Sequence, residues 1–378
     1  MKTRVLIVGG GFAGAATAAA LSRRASSRIT LIEAEKTPGV HSSGRNASMA
    51  RRVIEDPVLT RLAVESVDAI KRLESESELS LFLPSGGLLL GSSKQIEALF
   101  EKASTHEVLQ RDMQRLTSKE VVSRVDALRG STMEEGIATS GCGVVDIHAL
   151  LSHYLYLARS ANVQVLTSHS LQGIEVRANA VKRARINGQW MDFDVIVNAA
   201  GFGANAVASM AGLPPLPLKP SRRHLFVTSR WERVDETWPF VWDITNGLYF
   251  RPESGGLLMC ACDQTPWERS EVPVEPQMRV QLAEKFSLHV PELARARPAH
   301  SWAGLRVLTP DGRFIVGADP RVSGFIWVAG LGGHGMTTSA AVGELAAKSV
   351  LDEQLPTLFD RAFSPKRFLE STDESFAA

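Results

Sequence analysis

The chain has 378 residues, 44% of them hydrophobic and 22% charged, with a formal net charge of +1. That length and balance suit a soluble protein of two domains or one large one, with enough chain to bury a core without disulfides or structural metal. Near-neutral charge supplies no global field for nucleic acid or an anionic membrane, and Cys142, Cys260 and Cys262 lack the spacing of a zinc site and the number of a disulfide framework.

Lys2 and Arg4 ahead of apolar residues give a faint likeness to a signal peptide, but the run Val5 to Val8 stops at Gly9, Gly10 and Gly11. A buried strand explains it better. An alanine-rich helix, about Ala13 to Arg24, leads to a strand from Ile29 to Ile32 and then Glu33. This βαβ opening prescribes a parallel sheet. TPGVHSSGRNASMA reads as a loop or broken helix, and helical spacing resumes from about Pro57 to Glu74. LFLPSGGLLLG has strand-and-turn character, and the charged stretch from Lys94 to Asp126 suggests two surface helices. A helix from Asp146 to Ala158 and two short strands within Val163 to Val176 precede DFDVIVNAAG, which repeats the opening logic of an apolar strand ending in small residues. GLPPLPLKP reads as a linker.

Strands dominate from Leu225 to Ala261, a helix follows near Pro276 to Ser287, and GFIWVAGLGGHGMTTSAAVGELAAKSV closes with strand, glycine turn and helix. No apolar run approaches the ~18 residues of a membrane helix. The first and last thirds share a nucleotide-binding style around a β-rich insertion. The expected domains therefore interleave: 1–49, 144–213 and 306–378 form one, 50–143 and 214–305 the other.

In GGGFAG, Gly9 permits a tight turn, Gly11 lets backbone approach a pyrophosphate, and Gly14 lets the helix pack on the sheet. The helix N-terminus adds N–H groups and a partial positive charge. Glu33 stands where a carboxylate would accept ribose hydroxyls, which disfavours NADP. NAD and FAD both remain, and two later segments favour FAD. HSSGRNAS offers Ser42, Ser43, Arg45 and Asn46 as donors, and GLGGHGMTTSAA is a second glycine turn opening a helix.

These two segments, with WAGLR (Trp302 to Arg306) and TPDGRFIVG (Thr309 to Gly317), resemble the D-amino-acid oxidase superfamily of FAD-dependent oxidoreductases over nearly the whole chain. Within it the pattern is most similar to the FAD-dependent D-arginine dehydrogenase type, which shares HSxGR, paired arginines before a strand, a β-strand tyrosine and WAGLR. The resemblance implies an α/β fold in which a Rossmann-like FAD-binding domain interleaves with an α+β substrate domain containing an antiparallel sheet. It further implies non-covalent FAD held by Gly9, Gly11, Phe12, Ala13, Gly14, Glu33, Ala34, His41, Ser42, Ser43, Arg45, Asn46, Ala200, Gly201, Gly304, Arg306, Gly332, Gly333, His334, Gly335, Met336 and Thr337. No metal is expected.

Flavin chemistry of this family takes a hydride from the substrate α-carbon, leaving the protein to orient the substrate and stabilise charge. The resemblance makes Arg306 the carboxylate clamp, with Tyr249 donating to the same group and Arg222 or Arg223 as a third contact. The turn around His334 would stabilise charge on reduced flavin. No side chain stands out as a general base; water or His300 could take the amine proton. Sarcosine-oxidase-like relatives attach flavin through a cysteine near Gly304 and promote oxygen reaction with a lysine near Met259 or Cys260. Its absence here tilts the reading towards a dehydrogenase with a quinone or another acceptor, oxygen being the alternative.

Pocket positions depart from the D-arginine type. Met49 and Ile54 replace a histidine and a tyrosine, and Gly87 replaces the acid that pairs with a guanidinium substrate, which speaks against D-arginine. Arg51 and Arg52 read first as a solvated helix face, with recognition of an acidic side chain as the other choice. The expected function is oxidative deamination of a D-amino acid to its 2-oxo acid and ammonia. The rivals are oxidation of N-substituted or cyclic amino acids, 2-hydroxy-acid dehydrogenation, and a non-catalytic flavin sensor. A cytoplasmic location is expected, with peripheral contact at the inner membrane face left open.

Overall fold

The computed structural model describes residues 2–24 and 27–369, so the last nine residues of the expected 306–378 segment lie outside the described residues. Packing divides the chain into a first unit of Met1–Gly44, Ile147–Ser221 and Arg306–Ala378, and a second of Arg45–Asp146 and Arg222–Leu305. Among the described residues, no helix is long and apolar enough to cross a membrane.

The first unit is built on a six-stranded sheet ordered Ile315–Ala318, Phe325–Ala329, Val195–Asn198, Arg4–Val8, Arg28–Ile32 and Gln164–Leu166. All of these run parallel except Ile315–Ala318, which pairs antiparallel with Phe325–Ala329. The central strands are apolar on both faces because both faces are covered: helices Phe12–Ser22 and Ser339–Val350 lie on one, and on the other Leu6 and Ile196 pack with Ile174, Val181 and Ala184 of a three-stranded antiparallel sheet (Leu171–Arg177, Ala180–Ile186, Gln189–Asp192). Helix Phe12–Ser22 is alanine-rich for a related reason. A Cβ at Gly343, on helix Ser339–Val350, would lie 2.7 Å from the backbone of Ala16, so small residues let the two helices meet. GLPPLPL is not a free linker: Leu213 and Leu216 are buried in this unit's core.

The second unit carries a nine-stranded mixed sheet. Its path runs Thr265–Pro266, Lys219–Thr228, Gly256–Cys260, Leu248–Glu253, Phe240–Asp243, Gly87–Gly91, Glu135–Thr139 and Met113–Thr117, with Pro298–Leu308 paired to Lys219–Thr228. Strand alternation sorts its side chains onto two faces. One buries Phe226, Val241, Phe250 and Met259 against Leu282 and Phe286 of helix Gln277–His289. The other presents Leu89, Leu225, Tyr249, Leu258 and Cys260, packed with Ile96 and Leu99 of helix Ser93–Ser104.

Two local expectations are corrected. The Lys94–Asp126 stretch is not a helix pair: Met113–Thr117 is a strand, with Met113 opposite Thr139, set among helices Ser93–Ser104, Glu107–Asp112 and Ser118–Arg124. It ends the strand order of the sheet with Met113 and Leu116 buried, and a Thr117/Glu120 capping box starts a helix immediately afterwards. Nor do Arg51 and Arg52 lie on a solvated helix face; they are 5% and 3% exposed. The helix is Pro57–Ser75, started by Asp56, whose Oδ1 accepts from the N–H groups of Val58 at 2.7 Å and Leu59 at 3.1 Å. The arginines precede that start. The Arg52 N–H donates to Cys142 Sγ at 3.3 Å, and Thr60 Oγ1 holds the backbone of Ile54.

Candidate functional site

In the first unit, neighbouring parallel strands end in register, with Val8 opposite both Ile32 and Asn198. Gly9, Glu33 and Ala199–Ala200 therefore follow directly at one edge, the carboxyl end where open α/β sheets bind ligands. Gly9 has φ +108, and a Cβ there would lie 2.5 Å from the Ala199 carbonyl oxygen. A Cβ at Gly14 would fall well inside contact distance of the Gly9 carbonyl. Both positions exclude side chains for steric reasons. Gly11 caps helix Phe12–Ser22 without a side chain of its own, and Ser43 Oγ accepts from the Phe12 N–H at 3.0 Å. The second helical residue, Ala13, sits in the same first turn.

Glu33 is held in place by two backbone donors: Gly10 N–H to Oε2 at 2.8 Å and Glu35 N–H to Oε1 at 2.9 Å. A carboxylate accepts about four hydrogen bonds, so capacity for ribose hydroxyls remains. Ala34 and Ser42 are exposed nearby in sequence, and exposed His41 pairs with Glu35 at 3.0 Å. Exposed Gly201 follows Ala200 with φ +55 and open space where a Cβ would go. A side-chain-free cradle beside a positioned acid fits a dinucleotide.

The last glycine turn belongs to the same unit. Gly332 and Gly333 have φ +52 and +90, and the Gly332 N–H donates to the Val307 carbonyl at 3.0 Å, tying the turn to Arg306 and its neighbours. A Cβ at Gly333 would lie 2.8 Å from Arg306 Cζ, so the half-buried guanidinium rests directly against this turn. His334 accepts from the N–H of Thr338 at 2.9 Å, and Gly335 with buried Met336 and Thr337 completes a turn before helix Ser339–Val350.

The remaining candidates lie in the second unit. Arg45 and Gly304 are brought together: Arg45 Nη1 donates to the Ala303 carbonyl at 3.4 Å, and a Cβ at Gly304 would lie 2.8 Å from the Arg45 carbonyl oxygen. Asn46 Oδ1 accepts from the Ser48 N–H at 2.7 Å. Tyr249 sits mid-sheet, opposite Trp242 on one side and Cys260 on the other. Its ring stacks on Trp242 at 4.6 Å, and the Arg51 guanidinium covers Trp242 at 4.2 Å.

Alternation separates the two arginines that the sequence left as a pair. Arg222 forms an ion pair with Glu275, donates to the Pro273 carbonyl at 3.3 Å and lies over Trp267. Arg223 shares an environment with Tyr249, Cys260 and Cys262. Burial works against its charge, but Cys260, Cys262, Tyr249 and Asp263 outweigh that and raise its pKa. Burial pushes the Cys260 thiol up; hydrogen bonding with Cys262 and the Arg223 charge more than offset this and lower it. Met259 points into the other face, so of that pair Cys260 is the one beside Tyr249. Gly87 leaves no room for an acid, since a Cβ there would lie 2.5 Å from the Phe240 ring. Sequence reading missed Trp242, whose role depends on standing opposite Tyr249.

A parallel sheet with a glycine cradle, a strand-end acid and a second glycine turn defines a dinucleotide-binding oxidoreductase of the α/β class. The chain belongs to the FAD dependent oxidoreductase family, whose model matches residues 4–349. It is 25% identical over 279 residues to the mitochondrial L-2-hydroxyglutarate dehydrogenase of Caenorhabditis briggsae, a match spanning 68% of this chain but only 62% of that relative. Hydrogen cyanide synthase subunit HcnC of Pseudomonas aeruginosa is 24% identical over 396 residues, covering 93% of each chain. In fold, the chain is similar to L-proline dehydrogenase from P. horikoshii, with TM-score 0.88, 22% identity and coverage of 97% and 98%.

Proposed function

We propose that the protein uses FAD to oxidise the carbon–nitrogen bond of an amino or imino acid. The observation that carries this reading is the Arg306 guanidinium seated against Gly333 in the last glycine turn. Bound FAD would supply a hydride acceptor for the substrate α-carbon. Gly9, Gly11, Gly14 and Glu33 would hold its dinucleotide portion without covalent attachment. In the first unit Arg306 is suited to receive a substrate carboxylate through paired N–H donors, and in the second the Tyr249 hydroxyl is suited to donate to a carboxylate. Holding the carboxylate fixes the α-carbon. The substrate amine must be neutral when its hydride leaves, and solvent can take that proton, so the protein need not supply a base.

Within this class, a D-amino acid other than D-arginine is one substrate reading. The closed space at Gly87 argues against a guanidinium side chain. A cyclic or N-substituted amino acid is served equally well by the same clamp, and the likeness to an L-proline dehydrogenase favours it. Cys260, rather than a lysine, beside Tyr249 supports electron transfer to a quinone or similar acceptor in preference to oxygen. The test is anaerobic mixing of the flavin-loaded protein with D-, L-, cyclic and N-methyl amino acids and 2-hydroxy acids. Bleaching by amino or imino acids is expected, with slow recolouring on admission of air. A flavin bleached only by hydroxy acids, or by nothing in the panel, would defeat the reading.

A further inference from the structure

Among the described residues, the buried donors without a hydrogen-bond partner include Arg51 Nε, Arg223 Nη1 and Trp302 Nε1 in the second unit. Arg51 and Arg223 are each 5% exposed, and Trp302 packs against the cluster that contains Tyr249 and Cys260. A buried donor left unmatched costs its full desolvation, and more when it is charged. All three atoms are donors, and two belong to cations. The natural complement of a buried guanidinium edge is an anion.

Arg51 is the most exacting of the three. Its Cζ lies 4.2 Å over the ring of Trp242, which in turn stacks on Tyr249, so a single ring separates this guanidinium from the proposed carboxylate contact. Stacking uses the face of a guanidinium and leaves its edge for paired hydrogen bonds to a carboxylate. Its protein partner is weak: Glu55 Oε2 stands 3.4 Å from Arg51 Nη2 on a side chain that is 59% exposed. Neighbouring Arg52 also has unmatched donors, at Nε and Nη2, but its charge is already balanced by Asp112 and Asp68, whereas among the described residues Arg51 has only the exposed Glu55.

We propose that Arg51, on its Trp242 shelf, receives a second anionic group, and that the substrate is a dicarboxylate: an amino or imino acid with a carboxylate beyond the one at its head. This rests on the oxidation reading for its reactive end, but the receptor itself can be tested without turnover. Succinate and butyrate have the same chain length and differ in one carboxylate, and neither has a C–N bond to oxidise. Their binding to the flavin-loaded protein is measured by shift in melting temperature and by perturbation of the flavin absorption bands.

Succinate is expected to bind about 10- to 100-fold more tightly than butyrate, the range for hydrogen bonds to a charged group. Arg51→Gln should remove the preference while leaving butyrate affinity unchanged, and Arg51→Lys should keep part of it. Glu55→Gln, at an exposed position that folding tolerates, should tighten succinate by removing a competing carboxylate. Equal binding of the two probes to the unsubstituted protein, or a preference that survives Arg51→Gln, overturns the proposal. A succinate preference without bleaching by any amino or imino acid sustains the receptor and defeats the oxidation reading. Bleaching by neutral amino acids as efficient as by acidic ones does the reverse.

Discussion

Arg306 is the residue whose replacement speaks most directly to mechanism. A lysine there keeps the charge but loses the planar fork that binds a carboxylate through two parallel bonds. Arg306→Lys is expected to lower kcat/KM by about 100-fold, chiefly through KM, in the range for truncating one side of a buried charged contact. FAD content should stay normal, because the cradle glycines and Glu33 hold the dinucleotide. Equal loss of FAD and activity would instead make Arg306 a cofactor ligand. Glycines in the first turn are constrained differently. Gly14→Ala pushes a Cβ into the Gly9 carbonyl, and the expected result is protein purified without flavin, read from its visible spectrum.

At the scale of elements, the boundary at Asp56 and Pro57 determines where Arg51 and Arg52 go. The helix does not extend upstream through the cap, so Arg51 to Ile54 lie outside it, and they are buried. Asp56→Ala removes the acceptor for two helix N–H groups and should destabilise the protein by about 1 kcal/mol, measured by urea unfolding. No change in the unfolding midpoint would show that Pro57 alone sets the helix start. The sheet of the second unit is a second such case. Each residue's face follows from its parity along the strand, so Arg222 and Arg223 enter different environments though adjacent in sequence.

For the whole molecule, several carboxylates are held below their ordinary range. The Arg4 side chain lowers Asp194 by hydrogen bonding. At Asp263, burial works upwards, but hydrogen bonds from His224 and the charge of Arg223 outweigh it. At Asp311, burial is likewise outweighed, by Arg367. A carboxyl lowered on folding contributes stability that is fully present above its unfolded pKa of about 3.9 and is lost as pH falls through the lower folded value. These groups should therefore leave the melting temperature flat between about pH 5 and 7 and reduce it progressively below about pH 4. A melting temperature that holds to pH 3 would show that these pairs contribute nothing net. The two units are each assembled from separated segments, since the chain returns to the first unit at Ile147 and Arg306.

The nucleotide-binding half was legible in the amino-acid sequence because its signals are local. Apolar strands, glycines at the turn and an acid at a strand end act through backbone geometry within about thirty residues. Gly9, Gly14 and Glu33 stand where that logic puts them, and the second glycine turn did so for the same reason. The substrate-reading half was legible only in outline. Tyr249 stood out as a candidate, but its neighbours Trp242, Cys260 and Arg223 come from other strands whose register no local pattern records. The burial of Arg51 and Arg52 was likewise decided by tertiary structure. Two adjacent arginines look solvated to any local reading, and their neighbours come from elsewhere in the chain, Trp242 under Arg51 and Asp68 and Asp112 beside Arg52.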